Sequence, residues 1–296
     1  MQVIDDDNLA IVAIATALLQ MVYFLVTWSC RVDKLSDFAA GSNFLFVALL
    51  TLCLGQTYYW RQIVMTVLVA AWGCRLSGYL MYRMFHVAED NRFSDDTTLK
   101  QFAAFWSFQC VWVFTVSLPI IFINSPSCRH KYYGPKFGTA QDVIGIMLFI
   151  FGTLLETFAD MQKFYFRIKP ANKGKCCNYG LWKWSRHPNY FGEIIVWWGA
   201  WLVSTSILHN FQWVAVLSPV FTTVLLLFIS GIPLLERKSD LTYGKSPEYQ
   251  SYKKGTSVLI PMPHSIYAKL APTLRFLMCC DFPLYDFLEE TTPISV

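Results

Sequence analysis

Charge is what this 296-residue chain has least of. Only 15% of its residues are Asp, Glu, Lys or Arg, whereas 55% are apolar and 17% are aromatic. An average soluble domain carries about 25% charge. A soluble fold of this size would need more charge to cover its outside. The shortage excludes a disordered chain, and the surplus of four positive charges is too small to suggest a nucleic-acid partner. Soluble-enzyme signatures are also missing. There is no GxGxxG, no P-loop and no HExxH. The histidines His86, His130, His187, His209 and His264 never recur at i, i+3 or i+4, so no metal site is expected. No Ser, His and Asp cluster suggests a triad.

Disulfide and secretion signals are absent as well. The nine cysteines include no CxxC, and the tight pairs are Cys176–Cys177 and Cys279–Cys280. Cys30, Cys53, Cys74 and Cys110 lie in or beside apolar stretches, which is the usage of reduced thiols. The adjacent pairs read as unmodified membrane-proximal thiols, with palmitoylation the lesser alternative. No Asn-x-Ser/Thr sequon occurs. The start of the chain is acidic, with Asp5, Asp6 and Asp7, where a cleavable signal would be basic. The first apolar run is therefore read as a retained span.

What is present is a series of apolar runs near the roughly 20 residues that cross a bilayer as helix. They cover 9–28, 44–60, 63–82, 102–123, 143–158, 194–208 and 213–235. The reading is an all-α polytopic membrane bundle of about seven transmembrane helices. With seven spans, 19 of the 24 Lys and Arg residues fall in loops on one side, which predicts the N-terminus out and the C-terminus cytosolic. The loop 124–142 opposes this with Arg129, Lys131 and Lys136. The chain reads as one integral membrane domain. Residues 1–142 form the substrate- or lipid-facing half, 143–262 the cofactor-binding half and 263–296 a C-terminal tail.

Two stretches carry candidate chemistry. In the first, Glu156, Asp160, Lys163 and Arg167 recur at spacings of four, three and four. On a helix they make one stripe of acid, acid, base, base. That stripe serves either as a helix end laced by ion pairs or as the wall of a wet cavity. The second runs from Gly180 through Arg186, His187, Pro188, Asn189, Tyr190 and Gly192 to Glu193. Pro188 suits a first helical turn, and Asn189 and Glu193 share a face. A plain membrane-entry loop seldom concentrates Arg, His, Asn, Glu and aromatics in so few residues, so a ligand role is favoured. Lys169, Lys173, Lys175 and Lys183 lie between or beside these motifs. They fit a topology signal, an anionic-lipid contact or a phosphate site equally well.

The run Arg186-His-Pro-Asn-Tyr-Phe-Gly-Glu193, with Ala159-Asp-Met-Gln-Lys163 before it and Ser230-Gly-Ile-Pro-Leu-Leu-Glu236 after it, resembles the C-terminal domain of steroid 5-alpha-reductases. The resemblance covers about residues 60–262. It extends to a superfamily with sterol reductases and isoprenylcysteine carboxyl methyltransferases. It implies a multi-span fold with a cytosol-facing cofactor cavity, an endoplasmic reticulum location, and a role in lipid metabolism. Asp160 and Arg167 match the spacing of the family's NADPH-lining Asp and Arg. Asn189 and Glu193 match residues placed beside the cofactor. Tyr252 begins a segment similar to the reductases' closing Tyr…Leu-Ile-Pro. Arg75 and Tyr79 are similar to an Arg-x-x-x-Tyr of the third span. One position departs: Trp72 stands where steroid reductases place the Tyr that hydrogen-bonds the substrate carbonyl. An indole N–H donates a hydrogen bond but no catalytic proton, which counts against a 3-oxo steroid.

The resemblance implies a membrane-embedded oxidoreductase that uses NADPH to reduce a carbon–carbon double bond in a lipid-like small molecule. The expected catalytic residues are Tyr79, Glu193 and Arg75. The expected cofactor residues are Asp160, Lys163, Arg167, Lys175, Arg186, His187, Asn189, Tyr190, Glu193, Glu236 and Tyr252. Two alternatives stand beside it. One is an S-adenosylmethionine-dependent methyltransferase of a lipid or prenylated substrate, which Arg186-His-Pro with Glu236, Tyr249 and Tyr252 also fits. The other is a non-catalytic lipid-binding membrane protein.

Overall fold

The computed structural model describes residues 5–30, 35–86, 98–126 and 135–288. Among them the chain is helical, and its one piece of extended pairing is a parallel bridge between Ser185 and Ser257. The helices are α1 (Leu9–Cys30), α2 (Leu35–Gly55), α3 (Trp60–His86), α4 (Leu99–Val116), α5 (Leu118–Ile123), α6 (Ala140–Ile168), α7 (Pro188–Ser204), α8 (Leu217–Val224), α9 (Ile232–Tyr243), α10 (Pro247–Gly255), α11 (His264–Tyr267) and α12 (Pro272–Cys279).

Among the described residues, five stretches are long and apolar enough to cross a membrane: Leu9–Cys30, Phe38–Gly55, Trp60–His86, Ala140–Ile168 and Asn210–Tyr243. The protein is thus a polytopic helical membrane protein. Two of the seven runs read from hydropathy take another form. The run 102–123 breaks at Ser117 into α4 and α5, because Pro119 has no N–H to continue the ladder. The run 194–208 belongs to the 17-residue α7, which starts at Pro188 and ends at Ser204. Arg129 and Lys131, which oppose the predicted orientation, lie outside the described residues.

The described chain forms two compact units. The first is residues 1–150 with 197–221, and the second is 151–196 with 222–296. Residues 197–221, assigned from sequence to the C-terminal half, group with the first unit. A local reason is that Gly199 packs on Gly145, where a Cβ on Gly199 would stand 2.6 Å from the Gly145 carbonyl oxygen.

In the first unit Asp5 caps α1 by accepting from Leu9 N at 2.8 Å and Ala10 N at 2.7 Å. Thr98 and Gln101 form a capping box at the start of α4. The core packs Phe44, Trp72 and Trp197 edge-to-face or tilted, with centroids 5.2–5.4 Å apart. The burial pattern also fixes the rotation of α1, which turns Val12, Thr16, Gln20 and Thr27 inward. A buried ion pair closes the unit: Arg61 Nε and Nη2 donate to the two oxygens of Asp142 at 2.7 and 2.8 Å.

In the second unit the latter half of α6 meets the first turns of α7. A Cβ on Gly192 would stand 2.7 Å from the Gly152 carbonyl oxygen and 2.8 Å from Glu156 N. Only glycine permits that approach of two backbones. Between α6 and α7 the chain makes a short 3₁₀ turn, Gly180–Lys183. Gly180 sits at φ +62, and the next amide, Leu181 N, donates to Gln162 Oε1 at 2.8 Å. Further on, a π-helical stretch, Leu225–Ile229, precedes α9. Tyr285 from the C-terminal segment donates its hydroxyl to Leu227 O at 2.7 Å.

Candidate functional site

The residues singled out in the second unit converge on Glu236. This carboxylate is buried on α9 at 3% exposure. Its Oε1 faces two neighbours from the loop that enters α7. His187 Nε2 lies at 2.7 Å and Arg186 Nε at 3.3 Å. The backbone brings them there. Arg186 N donates to Ser257 O at 2.8 Å and His187 N to Val258 O at 3.1 Å. Ser185 Oγ donates to Leu259 O at 2.7 Å. The loop 184–187 is therefore stitched along residues 257–262, and Met262 N completes the seam on Trp184 O at 3.0 Å.

Arg186 is the hub. Its Nη1 donates to Lys253 O at 2.6 Å, and Nη2 lies 3.8 Å from Asp281. Burial works against its charge, but Glu236 and then Asp281 outweigh burial and hold its pKa above the usual value. Burial lowers the His187 pKa further than the Glu236 hydrogen bond raises it. His187 is therefore a neutral imidazole with Nε2–H donating to Glu236. Tyr190 stacks on its ring, 10° from parallel.

Buried atoms of this cluster without a hydrogen-bond partner among the described residues include Glu236 Oε2, His187 Nδ1, Asn189 Oδ1 and Arg186 Nε, the last held 3.3 Å from Glu236 Oε1 as an ion pair. In a neutral His187 with Nε2–H, the first three are acceptors. Buried acceptors without donors are costly, so a ligand rich in N–H donors fits this cluster.

A second group lies along α6. Asn189 Nδ2 donates to Asp160 Oδ1 at 3.3 Å. Lys163 Nζ sits 3.9 Å over the Trp182 ring, while Trp182 Nε1 donates to Ala159 O at 2.9 Å. The stripe Glu156, Asp160, Lys163, Arg167 thus descends from buried acids to exposed base. Arg167, Lys169, Lys173 and Lys175 are all exposed. Glu193 is half-buried one turn beyond Asn189 on α7. Tyr252 donates its hydroxyl to Trp182 O at 2.7 Å, and burial pushes its pKa well up. Cys176 is likewise pushed up to about 11 by burial, so its thiol stays protonated and unreactive.

The sequence reading missed a deeper layer. Lys253 is buried and reaches Asp240, Tyr285 O at 3.0 Å and Asp286 at 3.3 Å. Tyr249 donates to Asp240 at 2.7 Å. Asp240 was findable, since it lies one helical turn after Glu236 on the same face of α9. Nothing local distinguishes Lys253 from Lys254. The segment 263–296, read as a tail, supplies Asp281, Tyr285 and Asp286 to these contacts. It also borders a cavity of ≈ 460 Å³ with Arg186, Lys253, Lys254 and Arg275 on its walls.

Arg75 and Tyr79 belong to the first unit. They lie one turn apart on α3 and are both half-buried, and the Arg83 guanidinium sits 6.0 Å from the Tyr79 ring centre. Trp72 is fully buried in the aromatic core. No group of three His, Cys, Asp or Glu residues able to hold a metal is found among the described residues.

The fold and this cluster define a polytopic helical membrane protein with a buried, partly open ionic site. Residues 23–256 match a family described as "Protein of unknown function (DUF1295)", and the chain belongs to that family. No curated protein and no solved structure matches it.

Proposed function

We propose that this protein is a membrane-embedded, NADPH-dependent reductase of a carbon–carbon double bond in a lipid, related to the steroid 5-alpha-reductases. Its membrane would be the endoplasmic reticulum, with the N-terminus out and the C-terminus cytosolic. The observation that carries the reading is the set of donor-starved acceptors Glu236 Oε2, His187 Nδ1 and Asn189 Oδ1, the last two of which follow an exposed basic run in the sequence. A nicotinamide carboxamide supplies N–H donors for such acceptors. Arg167, Lys169, Lys173 and Lys175 are the candidates for its phosphates through charge-assisted bonds. When bound, the cofactor supplies the hydride.

The chain's own residues have separate tasks. Asp160, Asn189 and Glu193 orient the cofactor, and Lys163, Tyr190 and Tyr252 shape its surroundings. Arg186 pairs with Glu236 and holds the loop 184–187 in place. In the first unit the Tyr79 hydroxyl donates a hydrogen bond, and then a proton, to the substrate. Arg75 lies one turn earlier on the same helix.

The test is a fluorescence titration of the purified chain with NADPH. Saturable binding is expected, weakened about tenfold by Arg167→Ala through loss of a charge-assisted contact. No binding by the wild type, or equal binding by Arg167→Ala, removes the reading. The same acceptors also suit the amino groups of S-adenosylmethionine. Saturable retention of that cofactor with none of NADPH puts a methyltransferase first.

A further inference from the structure

The first unit holds a second place where polar atoms stand without partners, and it is far more apolar. Between α1 and α4 lies a cavity of ≈ 370 Å³ bordered by Gln20, Met21, Phe24, Trp106 and Cys110. That volume falls within the usual range of small-molecule sites. Met21 is 56% exposed, so the cavity opens at the outer, apolar surface of a membrane span.

Gln20 is the anomaly. It lies in the middle of a 22-residue apolar helix and is only 3% exposed. Among the described residues, neither its Nε2 nor its Oε1 has a hydrogen-bond partner, and the Trp106 indole N–H has none either. The other buried glutamines each have at least their Nε2 served, although Gln109 Oε1 also lacks a partner among the described residues. Gln62 donates to Ile123 O at 3.0 Å, Gln109 to Ser36 O at 3.1 Å and Gln212 to Asp7 at 2.8 Å. The neighbouring Tyr23 hydroxyl is committed to Ser42 at 2.9 Å, so it does not rescue Gln20. In hydrocarbon no water satisfies such groups.

We infer that the α1–α4 cavity binds a lipophilic molecule carrying one oxygen group, an alcohol or a ketone, recognised by Gln20 and Trp106. The indole can only donate, while the amide donates and accepts. A ketone oxygen accepts from Trp106 Nε1–H and Gln20 Nε2–H. An alcohol accepts from Trp106 and donates to Gln20 Oε1. The last torsion of a glutamine is soft, so entry of the ligand turns the amide to whichever atom is required. Met21, Phe24 and Cys110 take the apolar body. This inference does not rest on the cofactor reading, because a protein without NADPH would bind the same molecule.

The experiment uses the full chain in detergent and three photoactivatable probes. These are a long-chain alcohol, the matching ketone and the matching alkane, each with a mid-chain diazirine. Labelled peptides are mapped by mass spectrometry. The alcohol or the ketone labels residues 17–24 and 103–110 saturably, and the alkane labels them about tenfold less. Stronger labelling by the alcohol assigns Gln20 Oε1 as the partner, and stronger labelling by the ketone assigns Nε2. Gln20→Leu weakens saturable labelling about fivefold, the worth of one hydrogen bond, without lowering the thermal midpoint. Trp106→Phe behaves likewise. Equal labelling by the alkane, or unchanged labelling of Gln20→Leu, overturns the inference. So does a lowered midpoint in Gln20→Leu, which would show that the amide serves the fold.

Discussion

Each unit buries a carboxylate against an arginine, and the two pairs are finished differently. In the first unit Asp142 is saturated. It accepts from Arg61 Nε and Nη2, from Gly138 N and Thr139 N at 3.0 Å each, and from Thr139 Oγ1. In the second unit Glu236 meets Arg186 and His187 through one oxygen and leaves the other without a partner among the described residues. A closed pair fixes structure. An open pair keeps bonding capacity for something else, at a cost to stability. Burial of charge alone does not mark a site. The unsatisfied remainder does.

The largest effect should come from the closed pair. Asp142→Asn leaves Arg61 buried without its counter-charge and should cost about 3–5 kcal/mol, read as a collapse of the thermal midpoint or loss of folded protein. Replacing both partners, Arg61→Met with Asp142→Leu, should recover most of that loss. Next comes the backbone contact between α6 and α7, the helix that the Arg186–His187 loop enters. Gly192→Ala drives a Cβ to 2.7 Å from the Gly152 carbonyl oxygen and should cost about 1–3 kcal/mol as overpacking does, measured by the same melts.

Glu236→Gln sharpens the contrast itself. It keeps an acceptor for His187 and Arg186 but removes the charge. NADPH affinity should fall about tenfold, or 1.4 kcal/mol, while the midpoint falls less than for Asp142→Asn. If Glu236→Gln unfolds the chain as readily as Asp142→Asn and the folded remainder binds NADPH unchanged, the distinction between open and closed pairs fails. The smallest effect is in pH. Burial lowers the pKa of His187 below the 6.5 of a free imidazole. The unfolded chain therefore takes up that proton at higher pH than the folded one. The stability His187 contributes is complete above about 6.5 and is lost as pH falls from there towards the folded pKa. His187→Gln should flatten the fall in thermal midpoint between pH 7.5 and 5.5.

Much of the architecture was legible. The runs 9–28, 44–60, 63–82 and 143–158 appear inside α1, the α2–α3 region and α6, because twenty apolar residues in a row have few other uses. The break at Ser117 was not legible as a boundary, since Pro119 is tolerated inside many membrane helices. In the site, Arg186 and His187 were visible as an unusual loop and Glu236 only through a resemblance. Their meeting depends on pairing between 184–187 and 257–262, and no periodicity reports a contact so distant in sequence. Lys253, Asp281 and Tyr285 were invisible for the same reason.

The sequence by itself determined the solvent. With so few charges over so much apolar surface, helices in a membrane were the outcome that satisfied every backbone group. It also placed the basic residues in the loop after α6, since helix length and charge are local properties. Only the tertiary structure decided which buried polar atoms are satisfied. That Asp142 is closed, Glu236 half open and Gln20 wholly unpaired depends on which donors the packed helices bring within about 3 Å, a distance set by the whole fold.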